Sequence, residues 1–235
     1  MAPNIPGVRR YITAKTRASA NIRAILLDCN GVIIDDEPIH LRLFQKVLKE
    51  EGIRLTRKEY FKLYLAMDDR SCFEDAFKRH GRPLSPAMLK DLIERKAAYY
   101  KKTIGQEAEI FPGVKTFVKE HVKNCILAVV SGALRREIDW ILRRAEIQRF
   151  ISVIISAEDV KNGKPHPECY RKGLAALNRL PRFRELPLKA GECLAVEDSI
   201  HGVEAAKRAG MKVLAVTNSY SKRDLSHADL IVSTL

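Results

Sequence analysis

Apolar and polar residues alternate along this chain in two rhythms. From residue 105 onward, short unbroken apolar runs alternate with stretches whose apolar positions recur every three or four residues. "NCILAVVS" (124–131) is a continuous aliphatic run, as expected of a strand covered on both faces. "ALRREIDWILRRAEI" then carries apolar residues at 134, 138, 141 and 142, a helical spacing. "FISVIIS" (150–156) predicts another strand, and "PECYRKGLAALNRL" a helix with Pro167 in its first turn. "ECLAVEDS", "IHGVEAAKRAG" and "MKVLAVTN" repeat strand, helix, strand, and "ADLIVSTL" closes with a short strand. Strands separated by helices imply right-handed crossovers, and so an α/β fold on a parallel, doubly wound sheet.

A different region stands between the first strand (22–28) and the second. Residues 38–104 hold no β-branched runs and read as helices at 38–51, 57–67, 71–80 and 86–103. Thr56, Asp69 and Ser85 are the expected N-caps, and Gly52 and Gly81 the stops. "FPGV" (111–114) marks the return to the core. The expected division is therefore a basic N-terminal extension at 1–21, an α/β core at 22–37 and 105–235, and an all-helical insertion at 38–104.

Composition narrows the function. Hydrophobic residues at 46% and charged residues at 30% describe a globular protein. No apolar run approaches the ~20 residues of a membrane span. Five scattered cysteines without a CxxC pair argue against a disulfide framework or a structural zinc site and suit a reducing cytoplasm. The net charge of +13 invites a nucleic-acid reading. The basic residues are mixed with acids over helical faces, without interleaved aromatics, which favours a solvated surface that also attracts anionic substrates. Residues 1–21 contain no Asp or Glu and carry Arg9, Arg10, Lys15 and Arg17, a composition shared with organellar transit peptides. A plain N-terminal extension on a cytoplasmic protein, monomeric or weakly dimeric, is the preferred reading.

In an open α/β sheet, ligands bind beyond the carboxyl ends of the strands. The first strand ends in Asp28 and the second in Ser131; the segment after the third contains Lys164; the fourth ends in Glu197 and Asp198. Three carboxylates around one point repel one another unless a cation sits among them, and all-oxygen ligation favours Mg²⁺. The cation and Lys164 can neutralise a phosphate, Ser131 and backbone amides near Gly31 can hold its oxygens, and Asp28 can attack phosphorus. This is a complement for phosphoryl transfer.

"DCNGVIID", "VVSG", "GKPHPECY" and "VEDSIHGVEAAKRAGM" together resemble the four motifs of the haloacid dehalogenase-like hydrolase superfamily, in the branch of beta-phosphoglucomutase and its phosphatase relatives. The resemblance covers nearly all of residues 22–235. It implies a Rossmann-like core with an inserted helical cap, Asp28 as nucleophile, Ser131 as phosphate ligand and Lys164 as the charge-balancing lysine. It also implies a magnesium site of Asp28, Glu197, Asp198 and the main-chain carbonyl of Asn30. Gly31, Gly132, Arg70 and His40 complete the expected substrate-binding set, for a small phosphorylated substrate such as a phosphosugar.

Position 30 departs from the pattern. Phosphatases and mutases of the family carry an aspartate there that protonates the leaving oxygen. Asn30 hydrogen-bonds but cannot shuttle a proton near neutral pH; losing a general acid/base typically lowers the rate ~10²- to 10⁴-fold. A slower phosphatase, a substrate with a good leaving group, a stand-in among Asp35, Asp36, Glu37 and His40, or an asparagine introduced to trap an intermediate are the readings. A capping or hinge role for Asp36 and His40 stands beside the proton-transfer one. A phosphonate hydrolase would use a cap lysine, for which Lys46, Lys49, Lys58 and Lys62 are available, although lysines on helix faces are usually solvated. The Glu197–Asp198 pair argues against a dehalogenase. A phosphosugar mutase and a weakly catalytic phosphometabolite-binding protein are the alternatives. In the segment 65–73, Arg70 either reaches a second group of the substrate or pairs with Asp68 or Asp69, and Ala66 replaces a glycine common in relatives. Cys29 is expected to point into the core, His166 onto a loop surface, and His201 to open a helix.

Overall fold

The computed structural model describes residues 21–65 and 67–235. Most of the N-terminal extension (1–20) and Ala66 lie outside the described residues. Among the described residues, eight strands and eight α-helices follow in chain order. Strand β1 (Ala24–Leu27) is wholly buried, as its unbroken AILL run requires. It lies at the centre of a six-stranded parallel sheet with β4 (Ile126–Val130), β5 (Ile151–Ile155), β6 (Cys193–Glu197), β7 (Lys212–Val216) and β8 (Leu230–Val232). The spatial order is β5-β4-β1-β6-β7-β8. The chain therefore winds outward in both directions from β1, the topology that opens a crevice at the carboxyl ends of the central strands. Register fixes what meets there: Leu27 pairs with Val129 on one side and Val196 on the other. Asp28, Ser131 and Glu197 thus leave the sheet along one rim.

Apolar clusters pack on both faces of the sheet, one centred on Ile25, Leu27, Val129 and Ile138, the other on Leu26, Val130, Tyr170 and Val203. Cys29 is buried in the first cluster, pointing away from the rim as expected, although it follows the end of β1 rather than lying within it.

The helical insertion forms a cap of α1 (Glu37–Glu50), α2 (Arg57–Leu63), α3 (Asp69–Arg79) and α4 (Pro86–Glu107). Its own core holds Phe44, Tyr60, Phe73 and Phe77, each fully buried; one such side chain contributes about 1.5–3 kcal/mol through burial. The cap joins the core at a two-residue antiparallel ladder, β2 (Ile34–Asp35) against β3 (Glu109–Ile110), too short for any sequence periodicity to predict. Thr56 and Ser85 cap α2 and α4 as expected. Asp69 does not cap α3: Asp68 does, in extended backbone, accepting from Ser71 N at 3.0 Å. Helix α2 stops at Leu63, short of the predicted end, and α4 runs on to Glu107. Gly52 and Gly81 each follow a helix end with positive φ, the left-handed turn that stops a helix.

The remaining helices, α5 (Val114–His121), α6 (Arg135–Arg144), α7 (Glu168–Asn178) and α8 (Ile200–Arg208), cover the sheet. Pro167 stands at the N-cap of α7, one residue before the predicted first turn. Among the described residues no helix is long and apolar enough to cross a membrane.

Candidate active site

A cavity of about 650 Å³ opens at the carboxyl rim between core and cap. Asp28, Asn30, Ser131, Gly132 and Lys164 from the core line it, together with His40 and Arg70 from the cap. Behind its floor, Asp28, Glu197 and Asp198 each offer a carboxylate oxygen within 4.8 Å of the others, and all three are buried. Three such charges hold together only where a proton or a cation relieves their repulsion.

Lys164 is one. Its Nζ lies 2.6 Å from Glu197 Oε1 and 3.0 Å from Asp28 Oδ1, and donates to the Val130 carbonyl at 3.3 Å. Burial works against the ammonium charge, but Asp28 and Glu197 outweigh it and raise the Lys164 pKa, so this cation persists at any physiological pH. Glu197 is spoken for on its other contacts: Tyr170 donates its hydroxyl to Oε1 and Ser199 donates to Oε2 at 3.3 Å. Burial raises the Glu197 pKa, Lys164 opposing it. Asp198 is raised well above the usual carboxylate range by burial, then by the Asp28 and Glu197 charges, although Ser219 donates to its Oδ2.

The donor set fits a hard divalent cation. Asp198 Oδ1 is a buried oxygen that receives no hydrogen bond among the described residues, a state that natural structures avoid unless an ion or water completes it, and Asp28 Oδ1 beside it faces only the Lys164 ammonium. Oxygen ligands alone suit Mg²⁺. Gly31 shows how closely the carboxylates approach. It sits at φ +73°, and a Cβ there would stand 1.9 Å from Asp198 Oδ2. Asn218 donates to the Gly31 carbonyl at 2.7 Å and pins this turn against the loop after β7.

Ser131, 3% exposed, accepts from Ala133 N at 3.2 Å and opens the loop leading into α6. Gly132 admits the cap: a Cβ there would lie 3.2 Å from Asp68 Cβ. Arg70 pairs with neither Asp68 nor Asp69; Asp68 is taken by Ser71, and Asp69 by Lys96. Arg70 instead lines the cavity.

Asn30 belongs to a buried polar chain that runs into the cap. Its Nδ2 donates to Asp36 Oδ2 at 2.6 Å and lies 3.0 Å from His40 Nε2. Asp36 Oδ2 also accepts from the Tyr100 hydroxyl and lies 3.1 Å from His40 Nε2. Asp36 occupies the N-cap position of α1 but makes no side-chain cap; its carboxylate serves Asn30 instead. Lys96 Nζ lies 2.7 Å from His40 Nδ1 and 2.6 Å from Asp69 Oδ1. For His40, burial and Lys96 act to lower the pKa, while Asp36 and Asp69 outweigh them and raise it. Both imidazole nitrogens are therefore engaged.

Sequence reasoning missed Lys96, Tyr170, Asn218 and Ser219. Lys96 is 1% exposed within a helix whose other lysines are solvated, so its spacing carried no signal. It is the buried lysine of the cap among the described residues, rather than Lys46, Lys49, Lys58 or Lys62, and its ammonium is committed to Asp69 and His40. His166 accepts from Glu168 N on an exposed loop, and His201 is the second residue of α8, both as expected.

Comparison with known proteins adds the family. The model of the haloacid dehalogenase-like hydrolases matches residues 25–216, which hold Asp28, Asn30, Ser131, Lys164, Glu197 and Asp198. The chain belongs to that family. A Thermotoga maritima relative, a phosphorylated carbohydrates phosphatase, is 29% identical over 204 residues, 81% of this chain and 83% of its own length. An Arabidopsis thaliana relative, (DL)-glycerol-3-phosphatase 2, is 28% identical over 94% of this chain and 91% of its own. Among solved structures, the Clostridium difficile beta-phosphoglucomutase superposes with a TM-score of 0.78 at 22% identity over 91% of each chain, a likeness of fold. This haloacid dehalogenase-like hydrolase therefore has the Rossmann-like core and helical cap of its family, and named phosphatases among its relatives.

Proposed function

We infer that the chain is a Mg²⁺-dependent phosphohydrolase of small phosphomonoesters, phosphosugar-like in kind, working through an aspartyl-phosphate on Asp28. The convergence of three buried carboxylates with Lys164 at the floor of a cavity shared by core and cap carries this reading. Asp28, Glu197, Asp198 and the Asn30 carbonyl would hold Mg²⁺, which when bound supplies charge neutralisation at the phosphate.

The chain's own residues do the rest. Lys164 pairs with Asp28 and aims it, and Ser131 with the amide of Gly132 holds the non-bridging oxygens. Asp28 attacks phosphorus, the leaving oxygen departs, and water then cleaves the acyl phosphate. The cap, residues 38–104 in the proposed division, closes over the substrate with Arg70 and His40 and excludes water other than the attacking one. Phosphorylated carbohydrates and glycerol phosphate, named for the two relatives, set the size class.

The test is turnover of p-nitrophenyl phosphate with and without Mg²⁺. Chelation and Asp28→Asn are each expected to abolish turnover. Ser131→Ala is expected to lower it ~10²- to 10³-fold, the effect of removing one preorganised donor to a developing oxyanion. Undiminished turnover by Asp28→Asn would refute the reading.

A further inference from the structure

An aspartyl-phosphate mechanism on an alkyl ester needs a proton at the leaving oxygen and a base for the incoming water, and Asn30 provides neither. The carboxyl groups that touch Asn30 or line the cavity with it differ in how far they are already committed. Asp36 is fully buried, serves Asn30, Tyr100 and His40 through one oxygen, and does not line the cavity. Glu37 accepts the Tyr60 hydroxyl, Asp68 accepts from Ser71, and Asp69 is paired with Lys96. Glu137, in the first turn of α6, holds Leu134 N at 3.2 Å with Oε2 alone. Its Oε1 makes no hydrogen bond or ion pair among the described residues, and Glu137 lines the cavity alongside Asp28, Asn30 and Ser131.

We propose that Glu137 is the general acid and base of this hydrolase, the role Asn30 cannot fill. The proposal rests on the phosphohydrolase reading above. In the first step Asp28 forms its bond to phosphorus, the ester P–O bond breaks, and the leaving oxygen takes the proton of the Glu137 carboxyl. In the second, water attacks phosphorus and gives a proton to the Glu137 carboxylate as the Asp28–phosphorus link breaks. Inorganic phosphate leaves, and Asp28 is regenerated ionised with Glu137 protonated. The surroundings suit both halves. Burial, then the Asp69 charge, raises the Glu137 pKa to about 7, against the opposing effects of Lys96, His40 and the Leu134 hydrogen bond. Its charge also acts on the Cys29 thiol and the Tyr100 hydroxyl. A carboxyl poised near the operating pH is the condition for efficient proton transfer in both directions.

The experiment compares two esters in the full-length protein with Mg²⁺. p-Nitrophenyl phosphate releases an anion that needs no proton, whereas glycerol 3-phosphate releases an alkoxide that does. For the unmodified chain, kcat/KM on glycerol 3-phosphate is expected to fall as pH rises through about 7, because the first step needs protonated Glu137; the p-nitrophenyl burst is expected to lack that limb. Glu137→Gln keeps an acceptor for Leu134 N. It is expected to lose ~10²- to 10⁴-fold on glycerol 3-phosphate, to lose the limb, and to keep the p-nitrophenyl burst within about tenfold, a burst that also certifies its fold. Equal losses on both esters, or a limb that survives in Glu137→Gln, would overturn the assignment. Were that variant not to fold, a limb shared by both esters in the unmodified chain would overturn it equally. Absence of Mg²⁺-dependent turnover in the unmodified chain would instead refute the phosphohydrolase reading itself, and the role of Glu137 with it.

Discussion

Restoring an aspartate at position 30 would not restore a simple acid. Asn30 Nδ2 stands 2.6 Å from the fully buried Asp36 Oδ2. A second carboxylate there replaces a hydrogen bond with like-charge repulsion, so one of the two must take up a proton. Asn30→Asp is expected to destabilise the protein by roughly 1–3 kcal/mol at pH 8. Asn30→Asp combined with Asp36→Asn, which reverses the hydrogen bond, is expected to recover most of that loss; urea melts of the three proteins measure it. Gly31→Ala meets both a positive φ and the Asp198 carboxylate, and is expected to lower thermal stability and weaken Mg²⁺ binding together. At this scale Asp28, Ser131, Lys164, Glu197 and Asp198 were legible, because chemistry at strand ends announces itself in order along the chain. Lys96 and the free oxygen of Glu137 were not. Each is defined by partners on other elements, and no local spacing encodes those.

Among the elements, α4 carries the cap's most consequential side chain. Lys96 ties α4 to α1 through His40 and to α3 through Asp69. Removing one member of a buried pair leaves the other uncompensated, an effect of ~3–5 kcal/mol. Asp69 keeps 20% of its side chain exposed, which places Lys96→Met at the lower end, about 3 kcal/mol. Chemical unfolding followed by tyrosine fluorescence is the measurement; Lys101→Met, on an exposed position of the same helix, is the control. Most helices and strands could be read from periodicity because burial enforces it. The misplaced ends have local causes: Asp68 rather than Asp69 reaches Ser71 N, and the β2–β3 ladder is two residues deep.

For the whole molecule, the buried carboxylate cluster couples stability to pH. Burial raises both Glu197 and Asp198 above the usual carboxylate range, and the neighbouring charges add to it for Asp198. A folded-state pKa above the unfolded value of about 4 gives stability that is complete below that value and fades as pH rises through the folded one. The proposed Mg²⁺ would bind the ionised carboxylates, so its stabilising effect is expected to grow across the same rise. At a concentration 100 times its dissociation constant it contributes about 2.7 kcal/mol. Melting temperatures with and without Mg²⁺ at pH 5 and pH 8 test this: a larger difference at pH 8 is expected, and an equal or smaller one would speak against the site.

The account turns on a phosphoryl group passing through one carboxylate. Its most direct measurement is peptide mass mapping of the protein acid-quenched during p-nitrophenyl phosphate turnover with Mg²⁺, when a good leaving group makes dephosphorylation the slower half. The phosphoryl group is predicted on the peptide containing Asp28, absent without Mg²⁺ and absent in Asp28→Asn. Turnover with that peptide unmodified throughout, or with the group on another residue, would contradict it.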